Sequence, residues 1–143
     1  MLFAILDGIE TLPIHPVFVH FPIALLTLTW AFVLAGYIRP AVAPDLLVGW
    51  FEWIGIAFLP FTIVTGIVDA DGLGFLTERI WSQPLIWHFL AALSASIVFT
   101  GHAVWRRKRT VSRRTVWIDT GLVTLGFWLL LVAGLLAGEM VYT

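Results

Sequence analysis

The chain contains no cysteine. That excludes a disulfide, a thiolate metal site and covalent attachment of a c-type haem. Charge is scarce as well: 12% of the 143 residues are Asp, Glu, Lys or Arg, against about a quarter in a soluble domain. The sequence has no nucleophilic triad, no phosphate-binding glycine loop, no internal repeat and no low-complexity segment, and it leaves enzymatic activity undecided. A secretory leader is not expected either. The opening MLFAILDGIETLP lacks a basic start and a small-residue cleavage site, and it carries Asp7 and Glu10. It reads as a short amphipathic lead-in at a membrane interface.

Apolar residues fill the rest. Sixty per cent of the chain is hydrophobic and the mean hydropathy is +0.98, the composition of a membrane protein. Four runs reach the roughly 20 residues needed to cross a bilayer: about 16–38, 46–68, 84–105 and 116–141. Pro16 and Pro84 suit first turns, where no amide donor is needed. Pro22 and Pro60 fall inside their runs and are expected to bend those helices. The short connections make sequential helices antiparallel. The expectation is therefore an all-α protein of one domain, residues 1–143: an up-down four-helix transmembrane bundle.

Basic residues set the expected orientation. Arg39 and the RRKRTVSRR segment, Arg106 to Arg114, hold seven of the eight, so their side is cytoplasmic and both termini face outward. Arg79 is alone on the other side. Trp50, Trp53, Trp105 and Trp117 suit an inner aromatic belt; Trp81, Trp87 and Tyr142 suit an outer one. The basic loop reads as a topology signal rather than a nucleic-acid or lipid site. Gly134 and Gly138 form a GxxxG in the fourth run, and Ala91, Ala92, Ser94, Ala95 and Ser96 a small-residue patch in the third. Both read as helix contacts, or as room for a flat ligand.

The chemistry lies in the histidines. Ionisable side chains at membrane depth mark functional sites. His20 follows Pro16 by four residues, and His88 follows Pro84 by four. Both helices start from the same face, so both rings are expected about 6 Å below it. His102 is fourteen residues beyond His88, on nearly the same helix face and about 21 Å deeper. It has no partner histidine at that depth and reads as structural, hydrogen-bonded to Glu52 or Asp119. His15 precedes Pro16 and does not share a helix face with His20; a capping and a ligand role are both open for it. Asp69 and Glu139 gather at the same outer end. Neutral imidazoles of His20 and His88 suit a haem iron, with Arg79 near the propionates. The set His15, His20, Asp69, His88 and Glu139 also suits Zn, Cu or non-haem Fe, or a buried polar network that sets helix register.

HPVFVHFPIALL, TGIVDADG, a histidine early in the third helix and AGEMVY at the end resemble the bacterial membrane proteins grouped as domain-of-unknown-function family 2231. The resemblance covers essentially the whole chain. It implies a four-helix domain in the bacterial inner membrane and places His15, His20, Asp69, His88 and Glu139 at family motif positions. Relatives are often beside or fused to Rieske-type iron–sulfur modules, which implies a redox setting. The expected function is that of a b-type haem protein carrying electrons near the periplasmic face. The alternatives are a non-catalytic accessory subunit of a respiratory or photosynthetic complex, and a metal-binding or transport protein. The partners open to such a chain are the lipid bilayer, a quinol or redox subunit and further copies of itself in a homo-oligomer, with no nucleic acid.

Overall fold

The computed structural model describes residues 14–39, 45–69, 85–109 and 112–142, without the side chains of Asp69, Arg113, Met140, Val141 and Tyr142. Among the described residues the protein is all-α. Its four helices are α1 (Ile14–Ile38), α2 (Asp45–Asp69), α3 (Leu85–Lys108) and α4 (Arg113–Tyr142). Each is long and apolar enough to cross a membrane; 24 or more residues at 1.5 Å per residue exceed the roughly 30 Å hydrocarbon thickness. Arg79, Trp81 and Pro84 lie outside the described residues.

Local chemistry sets the helix ends. α1 stops at Ile38, where the Arg39 amide still reaches the Ala35 carbonyl at 2.7 Å and Pro40 disfavours further helix. α4 begins earlier than hydropathy alone indicates because Ser112 caps it. The Ser112 hydroxyl accepts from the Thr115 amide (3.2 Å) and the Thr115 hydroxyl accepts from the Ser112 amide (2.7 Å), a reciprocal capping pair. Asp45 opens α2, and Arg106, Arg107 and Lys108 close α3, each charge opposing the local end of the helix dipole. α1 and α2 remain helical through Pro22 and Pro60.

Ring contacts fix the helix directions. Phe21 meets Phe58 and Phe32 meets Phe51, so α1 and α2 run antiparallel. Trp30 stacks on Phe127 with centroids 4.0 Å apart, and Tyr37 meets Trp117, so α1 and α4 do likewise. The sequential hairpins α1–α2 and α3–α4 pack most closely; α1 against α4 and α2 against α3 complete a four-sided bundle.

The interior is narrow. Leu26, Phe99 and Val123 form its centre, with Ala91, Ala95, Ala103 and Ala133 letting the helices approach. Large apolar side chains cover the outside: Leu135, Val17 and Leu46 are all more than 70% exposed. In water such a surface would be costly, but in hydrocarbon it carries no penalty, and close packing plus internal hydrogen bonds hold the helices together. Buried hydroxyls follow the same logic. Thr29 donates to the Leu25 carbonyl and Thr62 to that of Leu59, so neither is left unpaired in an apolar medium.

The small-residue expectation is borne out in part. Ala91 and Ala95 are core residues. The GxxxG pair is not the point of close approach, since a side chain at Gly134 or Gly138 would meet nothing within 4 Å. The tight glycines are others. A β-carbon at Gly126 would lie 2.8 Å from the Phe99 ring, and one at Gly55 3.0 Å from Leu26.

Candidate functional site

Two polar clusters occupy opposite ends of the bundle. The first lies where α1 and α3 begin. α1 starts at Ile14, before Pro16, so His15 is already helical. Its ring sits against His88 of α3, with centroids 6.4 Å apart and planes at 89°. The expectation from sequence puts His20 in that place. Five residues of helix turn a side chain by about 140°; with His15 facing inward, His20 is carried to the exposed surface, where its Nδ1 donates to the Pro16 carbonyl.

Both inward rings are held by their Nδ1 atoms. His88 Nδ1 lies 2.8 Å from the Ala133 carbonyl of α4. A carbonyl only accepts, so this nitrogen carries the proton and a neutral ring has its lone pair on Nε2. His15 Nδ1 lies 3.2 Å from the Thr65 hydroxyl of α2, which itself donates to the Phe61 carbonyl at 2.9 Å. The hydroxyl hydrogen being so used, His15 Nδ1 is the donor. Gly66 supplies the room: a β-carbon there would come within 3.1 Å of the His15 ring. All four helices thus shape one small site.

This arrangement suits metal ligation by two imidazoles. Ligating histidines commonly donate one ring N–H to a backbone or side-chain oxygen and present the other nitrogen. His15 and His88 would be the residues to hold such an ion. Among the described residues no group of three or more His, Cys, Asp or Glu side chains is placed to hold a metal. Zinc sites draw three or four protein ligands, whereas haem iron needs two at most. Glu139 is exposed near the end of α4. The Asp69 side chain and Arg79 fall outside the described residues.

The second cluster lies at the other end. His102 is buried, its Nδ1 2.5 Å from Glu52 Oε1 of α2 and its Nε2 3.1 Å from Asp119 Oδ1 of α4. The expectation of a structural histidine bonded to one of these carboxylates holds, with both engaged at once. Arg109 Nη2 meets Asp119 Oδ2 at 2.5 Å, Arg106 Nη2 meets Asp45 Oδ1 at 2.6 Å, and Arg106 Nη1 faces Glu52 at 3.9 Å. Both ring nitrogens of His102 are thus engaged by carboxyl groups of two other helices. With both ring nitrogens committed, His102 is no ligand.

Sequence reasoning misses Thr65, Gly66 and Ala133 at the first site, and Asp45, Arg106 and Arg109 at the second. Thr65 and Gly66 open the TGIVDADG segment, where Asp69 is the more conspicuous polar residue. The arginines are masked by their value as a topology signal.

No curated protein and no solved structure matches the chain. The profile of one family, described as a predicted membrane protein (DUF2231), matches residues 11–143. That span holds all four helices and both clusters, and the chain belongs to the DUF2231 family of membrane proteins.

Proposed function

We propose that this protein is a membrane electron carrier holding one haem b between His15 and His88, at the end of the bundle where α1 and α3 begin. The observation that carries the reading is the pair itself. Two imidazoles from non-sequential helices lie 6.4 Å apart at right angles, each anchored through Nδ1 to an oxygen of a third or fourth helix.

When bound, the haem supplies one-electron chemistry. The chain's own residues orient and insulate. The Thr65 hydroxyl and the Ala133 carbonyl fix ring orientation and tautomer, and raise the basicity of the opposite nitrogens. Gly66 keeps space for the His15 ring. Gly134, next to Ala133, opens onto an apolar groove of about 240 Å³ between α1 and α4 that Ile23, Phe127 and Leu131 also line. The seven basic residues at the His102 end support a cytoplasmic position for that end, and so a haem near the outer face of a bacterial inner membrane. Electrons would then pass between a quinol or membrane enzyme and an outer-face acceptor.

Absorbance of the purified protein tests this. A Soret band that shifts on dithionite reduction and is lost in both His15→Ala and His88→Ala is the expected result. A colourless protein with stoichiometric zinc or copper would replace the reading with a metal site. A protein with neither would leave an accessory subunit.

A further inference from the structure

A second site lies in the cytoplasm-facing end of the bundle, away from the paired histidines. A groove of about 420 Å³ opens there between α2 and α3. Gly49, Trp50 and Trp53 line one wall and Arg106, Arg107 and Arg109 the other. The Arg106 and Arg109 side chains are only 10% and 8% exposed. Three of their nitrogens, Arg106 Nη1, Arg109 Nε and Arg109 Nη1, are buried with no hydrogen-bond partner among the described residues. A charged donor left unpaired out of water is costly, and guanidinium groups match the oxygens of a phosphate in geometry and charge.

The surroundings favour an anion over a cation. Two carboxylates line the groove, Asp45 and Glu52, and both are engaged. Asp45 pairs with Arg106 at 2.6 Å and Glu52 with His102 at 2.5 Å. Arg107, stacked over the Trp53 ring at 4.1 Å, and Lys108 have no ion-pair partner among the described residues. The local charge is therefore positive. Below the arginines the wall is greasy: Leu46 is 73% exposed and Trp50 60%. Basic pockets between transmembrane helices on the cytoplasmic side are where phosphate head groups bind.

We propose that this groove binds the head group of one anionic phospholipid. Arg106 and Arg109 donate to its phosphate, Arg107 guards the rim, and an acyl chain runs over Leu46 and Trp50. The lipid completes the hydrogen bonding of the α2–α3 interface, the less extensive of the bundle's adjacent contacts.

The test is native mass spectrometry of the full chain in neutral detergent, with phosphatidylglycerol, phosphatidylcholine or inorganic phosphate added. Wild type is expected to retain one phosphatidylglycerol at least tenfold more tightly than phosphatidylcholine. Arg109→Gln should abolish that preference. Gly49→Leu should do so without touching an ion pair, because a side chain there enters open space and fills the groove; it decides the matter should Arg109→Gln not fold. Equal retention of the two lipids, or a preference undiminished in Gly49→Leu, overturns the proposal. Displacement of the lipid by millimolar phosphate overturns the lipid assignment in favour of a soluble anion.

Discussion

Nδ1 of His102 lies 2.5 Å from Oε1 of Glu52, although fifty residues separate them, and both side chains are buried. This bond ties α2 to α3, and the second ring nitrogen carries the tie on to Asp119 of α4. A buried pair is weak evidence of net stability, but removing one partner strands a charge and costs about 3–5 kcal/mol. His102→Ala, which leaves the buried Glu52 Oε1 without its hydrogen-bond partner, is expected to lower the thermal midpoint in detergent sharply. Glu52→Met combined with His102→Leu should recover part of the loss. An unchanged midpoint in His102→Ala would show that the network contributes nothing.

Among the described glycines, Gly126 has the least room for a side chain, against Phe99. A β-carbon added at Gly126 would sit 2.8 Å from the ring edge, so Gly126→Ala should destabilise by about 1–3 kcal/mol through overpacking. Phe99→Leu in the same chain should relieve much of it. Gly134→Ala, into open space, should be neutral. Denaturation of the three variants in one detergent checks the ranking.

The proposed haem site discriminates between two histidines five residues apart. His20→Ala should keep the Soret band, because its ring is exposed and turned to its own helix. His15→Ala should lose it. Gly66→Val should lose it too, since the added side chain takes the space of the His15 ring. A band lost in His20→Ala and kept in His15→Ala would reverse the ligand assignment.

Trp30 donates to the Thr124 hydroxyl at 3.2 Å while stacking on Phe127. Thr124→Val preserves shape and removes the acceptor, leaving an indole N–H unpaired in an apolar setting. The expected cost is about 1–3 kcal/mol, read as a lower midpoint. Phe127→Leu should cost about 0.5–1.5 kcal/mol beyond the lost burial.

Orientation has a clean assay because the chain has no cysteine. Lys108→Cys, in an exposed position, should react with a membrane-impermeant maleimide only after the cytoplasmic side is opened. Ile14→Cys, exposed at the start of α1, should react in intact cells. The opposite pattern would invert the bundle and put the paired histidines inside.

Hydropathy and charge alone suffice for the all-α class, the four spans and their approximate limits, because a bilayer demands long apolar helices with satisfied backbones. They also suffice for the bonding of His102 to Glu52 or Asp119, but not for the level of the paired rings, because His15 rather than His20 lies beside His88. They do not suffice for azimuth. His15 and His20 lie within one and a half turns, and which of them faces inward depends on how α1 is rotated against α2. That rotation is set by contacts such as Gly66 with His15 and Gly55 with Leu26, between residues far apart in the chain. The arginines behave likewise: as sequence they are a charge excess, and only the fold sets Arg106 and Arg109 beside the carboxylates of two other helices. Composition acts along the chain axis, where the membrane imposes it; partnership across the bundle is a product of side-chain packing, which no local pattern encodes.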